Sequence, residues 1–336
     1  MGHKALRARA AVELSDLVGY EHADPLYYCV VPDVACFPRL YPLYDLATVA
    51  LGAKFKGEMY GLKQKNDQPM LDEDREGLID LILNAKMPEI TVRLTDLLAA
   101  GKRIVEISDT VVAAFARHLT YEVWSKRSFF QIGHAFDYSN VVNFWLRTYD
   151  HPHQAKAPYF QAAFVNDCIQ VTKQFPPDPG SEMYLGDRRT QREWADRLSL
   201  GNCLGQLIAA CERLDYPRAG ACTDSYLERT SARRPLMEAL TVAAAKLQND
   251  PHQQRHAASM IEEWEQTTLP ARDKDDLLRA WTKYTAGGVK RTTALDCVRM
   301  FEEHLNLGQS VIFTPNGQQH DMGVMGLTLT KPVEND

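Results

Sequence analysis

Apolar side chains recur at three- and four-residue spacing along most of this chain, which is the pattern of amphipathic helices. The segment from residue 159 to 175 is a clear case, with Phe160, Phe164, Cys168 and Val171 on one face. A second stripe runs through residues 190–214 and includes Trp194. The pattern predicts a mainly α-helical protein.

Capping residues locate several of the predicted helix ends. Three acids at residues 72–74 precede an apolar run, which suits the positive end of a helix dipole. Gly101 follows the next run as a helix stop, and Ser108 is a predicted N-cap for the helix after it. Pro235 is expected in the first turn of a later helix, where a missing N–H costs little.

Residues 25–42 contain four prolines and many aromatic residues. Because proline interrupts the hydrogen bonds of a helix interior, this spacing predicts an extended strap on the surface of an aromatic core. The strap and the helices around it form a predicted first lobe, residues 1–175.

Residues 176–187 hold three prolines and two glycines, which is typical of a linker. After it we predict a second lobe, a helix bundle over residues 188–307. Within that bundle, Gly201 and Gly205 are expected to let a neighbouring backbone come close.

The last stretch, residues 308–336, changes from helical spacing to alternation. Asn316-Gly317 is a turn signal, and Leu327 and Leu329 alternate with threonines. This pattern predicts a β-like hairpin or arm that packs on its own chain or on a neighbour.

Composition places the chain among globular proteins of the reducing cytoplasm. The hydrophobic share is 45%, and the formal net charge is -6. Seven cysteines without a CxxC pair favour free thiols over a disulfide framework or a zinc ribbon. We expect no membrane partner, because no signal peptide or apolar run of spanning length occurs.

Asp150, His151 and His153 are the most suggestive candidate metal ligands, because imidazole and carboxylate suit zinc or iron. Two or three ligands on one loop do not complete a site, so the alternative is a polar loop in which Pro152 ends a helix. His252 and His256 share a helix face, but the glutamate of an HExxH motif is missing. The sequence therefore predicts no metal, no cofactor and no catalytic group with a local motif.

Basic residues cluster at the ends of predicted second-lobe helices and could converge on phosphates. Acids nearby compensate them, and the net charge opposes a role in coating every nucleotide. The candidate nucleic-acid ligands are Arg188, Arg189, Arg192, Arg229, Arg233, Arg234, Lys290 and Arg291.

Elimination favours a self-assembling structural subunit, and in size and general character the chain resembles the coat proteins of small RNA viruses. That class implies a virion protein that encloses RNA and has itself as its main partner. The candidate assembly residues are Tyr27, Tyr28, Phe37, Tyr41, Val311, Phe313, Leu327 and Leu329.

Two other classes stay open. One is a helical enzyme in which distant histidines, among His118, His134, His151 and His153, form an acid-base or metal site. The other is a nucleoprotein that coats RNA through the arginine clusters.

Overall fold

Helices form nearly all the regular structure in the computed structural model, which describes residues 3–36, 41–122, 129–176, 188–246 and 251–287. This confirms the mainly helical class, and the described residues contain no strand, only an isolated bridge between Gln68 and Lys102. The helices of the first half are α1 (His3–Val18), α2 (Asp24–Cys36), α3 (Tyr41–Phe55), α4 (Leu62–Lys65), α5 (Asp72–Asn84), α6 (Met87–Ala99), α7 (Ile104–Tyr121), α8 (Phe129–Thr148) and α9 (Ala157–Thr172). The second half continues with α10 (Arg188–Asp196), α11 (Leu200–Glu212), α12 (Tyr216–Arg229), α13 (Arg234–Lys246), α14 (Pro251–Gln266) and α15 (Ala271–Gly287).

Helix α7 lies at the centre of the packing. Its sequence is apolar or small nearly all round, which is typical of a helix buried on every side. It packs against α5, α8, α9 and α15. Phe115 on α7 and Trp281 on α15 are both fully buried in one continuous apolar core. Helices from both sides of the predicted linker therefore contribute to the same core.

Two further groups of helices surround this centre. Helix α8 packs against α9, α14 and α1, and α1 packs in turn against α2. Helices α10 and α11 pack against α12, and α11 also packs against α13; α12 and α13 join this group to α15, and α13 packs against α14 as well. In the first group, α1, α8 and α14 place polar side chains against one another.

The extended strap predicted for residues 25–42 is wrong for the part that the structure describes. Residues 24–36 are helix α2, and residues 41–42 begin helix α3. Pro25 and Pro42 are each the second residue of a helix, where the absent N–H has no partner to lose. Pro32 lies inside α2, so it removes one internal hydrogen bond without ending the helix.

Other local predictions can be compared with the structure directly. Gly101 adopts a left-handed φ of 77° just after α6, and the acids at 72–74 lie in the first turn of α5, which confirms both predictions. Ser108 as an N-cap is wrong, because it lies inside α7 and is fully buried. The close approach at Gly201 and Gly205 is also wrong, because a Cβ at either position would meet nothing within 4 Å.

The predicted C-terminal arm, residues 308–336, lies outside the described residues and stays a prediction. None of the described helices combines the length and the apolar character that crossing a bilayer takes.

Candidate functional site

The residues first suspected as metal ligands lie in the loop after α8. Asp150 pairs with Lys63, with 2.9 Å between the carboxylate oxygen and Nζ. The rings of His151 and His153 lie 5.3 Å apart, and the backbone N–H of His153 donates to Nδ1 of His151. The histidine His153 also packs edge-on against Tyr60. Each of the three thus has a local partner, as a polar loop requires.

His118 is a buried structural histidine on α7. Its Nε2 lies 2.7 Å from the hydroxyl of Thr172, and its Nδ1 lies 3.3 Å from a carboxylate oxygen of Glu122. Burial lowers the pKa of His118, so the neutral ring is favoured. Its position ties α7 to the end of α9.

Three other histidines, His3, His134 and His252, meet where α1, α8 and α14 come together; we call them the histidine cluster. Nε2 of His134 lies 3.3 Å from Nε2 of His3 and 3.3 Å from Nε2 of His252. One ligand nitrogen from each ring lies within 4.8 Å of the others. The residue His134 is 9% exposed, and the other two are half-buried.

The side of α14 behind the cluster is apolar and aromatic. His256, one turn after His252, is fully buried and stacks on Tyr284 with 4.0 Å between ring centroids. Burial lowers the pKa of His256 to about 3, so this ring is neutral at physiological pH. The cluster therefore rests on a rigid packed layer.

Below the cluster, Arg9 connects α1 to α8 and α14. Its guanidinium donates to Asn140 at 3.0 Å and pairs with Glu262 at 2.8 Å. It also pairs with Glu13 on its own helix and lies 4.1 Å above the ring of Phe144. Arg9 is only 6% exposed, so these contacts fix α1 on the body of the protein.

A fully buried acid pair continues this line of polar contacts towards α7. Asp109 and Glu263 share the guanidinium of Arg147, at 2.6 and 3.0 Å, and both accept from the amide of Asn143. Asp109 also accepts from the backbone and hydroxyl of Thr268. Burial and the charge of Asp109 outweigh Arg147 and raise the pKa of Glu263 to about 7. We call the line from Arg9 to Asp109 the polar seam.

The described arginines of the predicted nucleic-acid clusters bind mainly to their own chain. Arg192 forms salt bridges with Asp196 and Glu228, and Arg233 forms a bidentate salt bridge with Asp275. Arg229 donates to the carbonyl oxygen of Leu198 at 2.7 Å.

Arg234 is 87% exposed on its side chain and pairs only with Glu238, four residues on, among the contacts described. Arg188 and Arg189 lie on α10 with side chains outside the described part, as are Lys290 and Arg291 altogether.

Two of the candidate assembly residues, Tyr27 and Tyr28, lie on α2, which packs against α1; we call residues 3–36 the N-terminal hairpin. Tyr28 is 82% exposed, whereas Tyr27 is half-buried. Further large apolar side chains on the hairpin are exposed: Leu14, Leu17, Val18, Tyr20 and Val31. Tyr41 begins α3 with its side chain outside the described part, and Phe37, Val311, Phe313, Leu327 and Leu329 lie outside it altogether.

Sequence reasoning missed the histidine cluster because its members are far apart. His3 and His134 are 131 residues apart, and His134 and His252 are 118 apart. A metal motif is recognised by short spacing on one element, and no such spacing occurs here. His134 was a candidate for a distant site, but its partners follow only from the packing of three helices.

No known protein family, no curated protein and no solved structure matches this chain.

Proposed function

We propose that this chain is a self-assembling structural subunit, of the class of viral coat proteins, whose N-terminal hairpin contacts a second copy. The observation that carries the proposal is the exposed apolar surface of that hairpin. Six of the fourteen large apolar side chains exposed in the described residues lie between Leu14 and Val31. Apolar side chains that cluster on a surface mark contact sites between proteins.

A second copy is the occupant that this surface fits. The exposed apolar residues of the hairpin are accompanied mainly by acids, among them Glu13, Asp16, Glu21 and Asp24. Such a surface is poorly suited to RNA, which requires basic side chains. A symmetric contact between copies pairs the apolar centres and leaves the acids at the rim.

The test compares assembly of the full chain with that of two variants. Leu17 and Tyr28 are 79% and 82% exposed, so the double change Leu17→Glu with Tyr28→Glu adds charge without disturbing the core. Val92→Glu is the matched control, because Val92 is 62% exposed on α6. Negative-stain microscopy and sedimentation velocity should show large closed or helical particles for the wild type and for Val92→Glu.

The double variant should sediment as a monomer or a small oligomer with an unchanged circular dichroism spectrum. A wild-type chain that stays monomeric at high concentration contradicts the proposal, and so does a double variant that assembles normally. RNA that co-purifies with particles and resists salt supports the finer proposal that the shell encloses a genome.

The second candidate is a helical enzyme with a histidine-based metal site. The meeting of His3, His134 and His252 favours it, because three histidines with one position left for water is a ligand set of catalytic zinc. Stoichiometric metal in small discrete particles would favour this class over the coat protein. The third class, an RNA-coating nucleoprotein, predicts salt-sensitive RNA complexes. The ion pairs of Arg192 and Arg233 with acids of the same chain disfavour it, because these arginines are already neutralised.

A further inference from the structure

We infer that His3, His134 and His252 bind one divalent transition-metal ion, Zn²⁺ in the first instance, and that this ion clamps α1 to α8 and α14. The inference requires neither assembly nor catalysis, so it can fail or succeed independently of both. It depends on three observations: the distances between nitrogens, the chemistry of the ligand set, and the helices that carry it.

The distances match those of a coordinated ion. Two nitrogens bound tetrahedrally to Zn²⁺ at about 2.0–2.1 Å lie about 3.3–3.4 Å apart. The two Nε2–Nε2 distances from His134 are both 3.3 Å. The third pair closes the triangle within 4.8 Å, which a small movement of the half-buried His3 or His252 would shorten.

Hydrogen bonding alone does not account for both contacts of His134. One ring nitrogen carries either a single hydrogen or a single lone pair, so Nε2 of His134 can make one good hydrogen bond to another imidazole. Two imidazole nitrogens nevertheless face it at the same distance. A shared cation accounts for both contacts, because each ring then directs its lone pair at the ion.

The ligand set selects the class of ion. Three neutral imidazoles suit Zn²⁺ and its neighbours in the first transition series, whereas Mg²⁺ and Ca²⁺ prefer oxygen ligands. With three ligands from the protein, the fourth position of a tetrahedral ion is left for water or an added group.

The helices that carry the ligands suggest what the ion does. His3 is the first residue of α1, His134 lies near the start of α8, and His252 is the second residue of α14. Farther along α1, Arg9 already ties the helix to α8 and α14. The ion would secure the N-terminal end of α1 in the same orientation, and with it the start of the N-terminal hairpin.

The test is zinc titration of the untagged, chelator-treated full chain, followed by calorimetry and by the visible absorption of a Co²⁺-substituted sample. We expect one ion per chain and the intense absorption of tetrahedral Co²⁺. Hydrogen exchange of α1 should slow when zinc is added, because the ion restricts its opening.

Variants then assign the ion to its ligands. His134→Gln and His252→Gln should each weaken zinc binding at least about 100-fold. His3→Gln should weaken it about 10- to 100-fold without risk to the fold, because His3 is half-buried at a helix start. His151→Gln is the matched control from the loop after α8 and should bind zinc as the wild type does.

The result that overturns the inference is equally specific. A wild-type chain that binds no stoichiometric zinc contradicts it, as does a His3→Gln protein that is folded and binds zinc with wild-type affinity. Loss of binding in His151→Gln alone would place the ion in the loop and not at the histidine cluster.

Discussion

Gly133 shows how a single missing side chain shapes the region of the histidine cluster. It lies on α8 directly before His134, and a Cβ at this position would collide with the hydroxyl and ring of Tyr284. Tyr284 is 5% exposed and stacked on His256, so its ring has little space to move. The absence of a side chain at residue 133 is therefore what allows the ring of Tyr284 to lie against α8.

We predict that Gly133→Ala destabilises the protein by about 1–2 kcal/mol, because overpacking exceeds the gain in helix propensity. Urea unfolding measures the loss. Gly205→Ala is the control: it has open space around its Cβ in α11, so it should stabilise by about 0.5–1 kcal/mol. A double-mutant cycle with Tyr284→Phe should recover part of the loss, and an uncoupled cycle would contradict the proposed collision.

The sequence allowed prediction of those residues whose roles are local. The helix stop at Gly101 and the acids that begin α5 depend on neighbours a few residues away, and both predictions are confirmed. Ser108 is a residue type that favours N-caps, but it lies inside α7, where its hydroxyl contacts Asn143 and Gln161. Tertiary packing decided its role, and a local pattern contains no information about such partners.

At the scale of elements, proline placement was the main source of error. Four prolines in residues 25–42 indicated an extended strap, yet α2 and α3 place two of them in first turns. The candidate site was harder still to predict from the sequence, because its three histidines come from α1, α8 and α14 and share no local spacing. Periodicity predicts that a segment is helical, but it does not predict which helices pack against one another.

Arg9 provides the element-scale test, because it holds α1 on the protein. Arg9→Ala would leave Glu262 without its arginine partner and Asn140 with only the guanidinium of Arg255, and we expect a loss of about 2–3 kcal/mol. Limited proteolysis should then cleave first within α1. The control Arg234→Ala removes an exposed pair with Glu238 and should change stability by less than about 0.5 kcal/mol. Equal protease resistance of wild type and Arg9→Ala would show that α1 is held by other contacts.

For the whole molecule, the buried acid Glu263 makes a specific contribution to stability as a function of pH. The carboxyl groups of Glu263 and Asp109 share one guanidinium in a fully buried setting, so burial and the charge of Asp109 favour the protonated form of Glu263. The pKa of Glu263 rises from 4.5 to about 7 in the folded state. The folded protein therefore binds this proton more tightly than the unfolded chain does.

Linkage sets the sign: the contribution of Glu263 to stability is greatest below pH 4.5 and decreases as pH rises from 4.5 to about 7. One proton corresponds to at most about 1.4 kcal/mol per pH unit in this range. Glu263→Gln keeps the shape of the side chain and removes its titration. In urea unfolding from pH 4.5 to 8, the free energy of unfolding of the wild type relative to the variant should thus decrease as pH rises and level off above about pH 7.

Glu238→Gln is the control for this experiment, because the side chain of Glu238 is 65% exposed. The unfolding curve of this variant should parallel that of the wild type. Parallel curves for Glu263→Gln and the wild type would mean that Glu263 is already ionised throughout the range. Arg147 would then compensate both carboxylates, and the polar seam would add a pH-independent term to the stability of the whole protein.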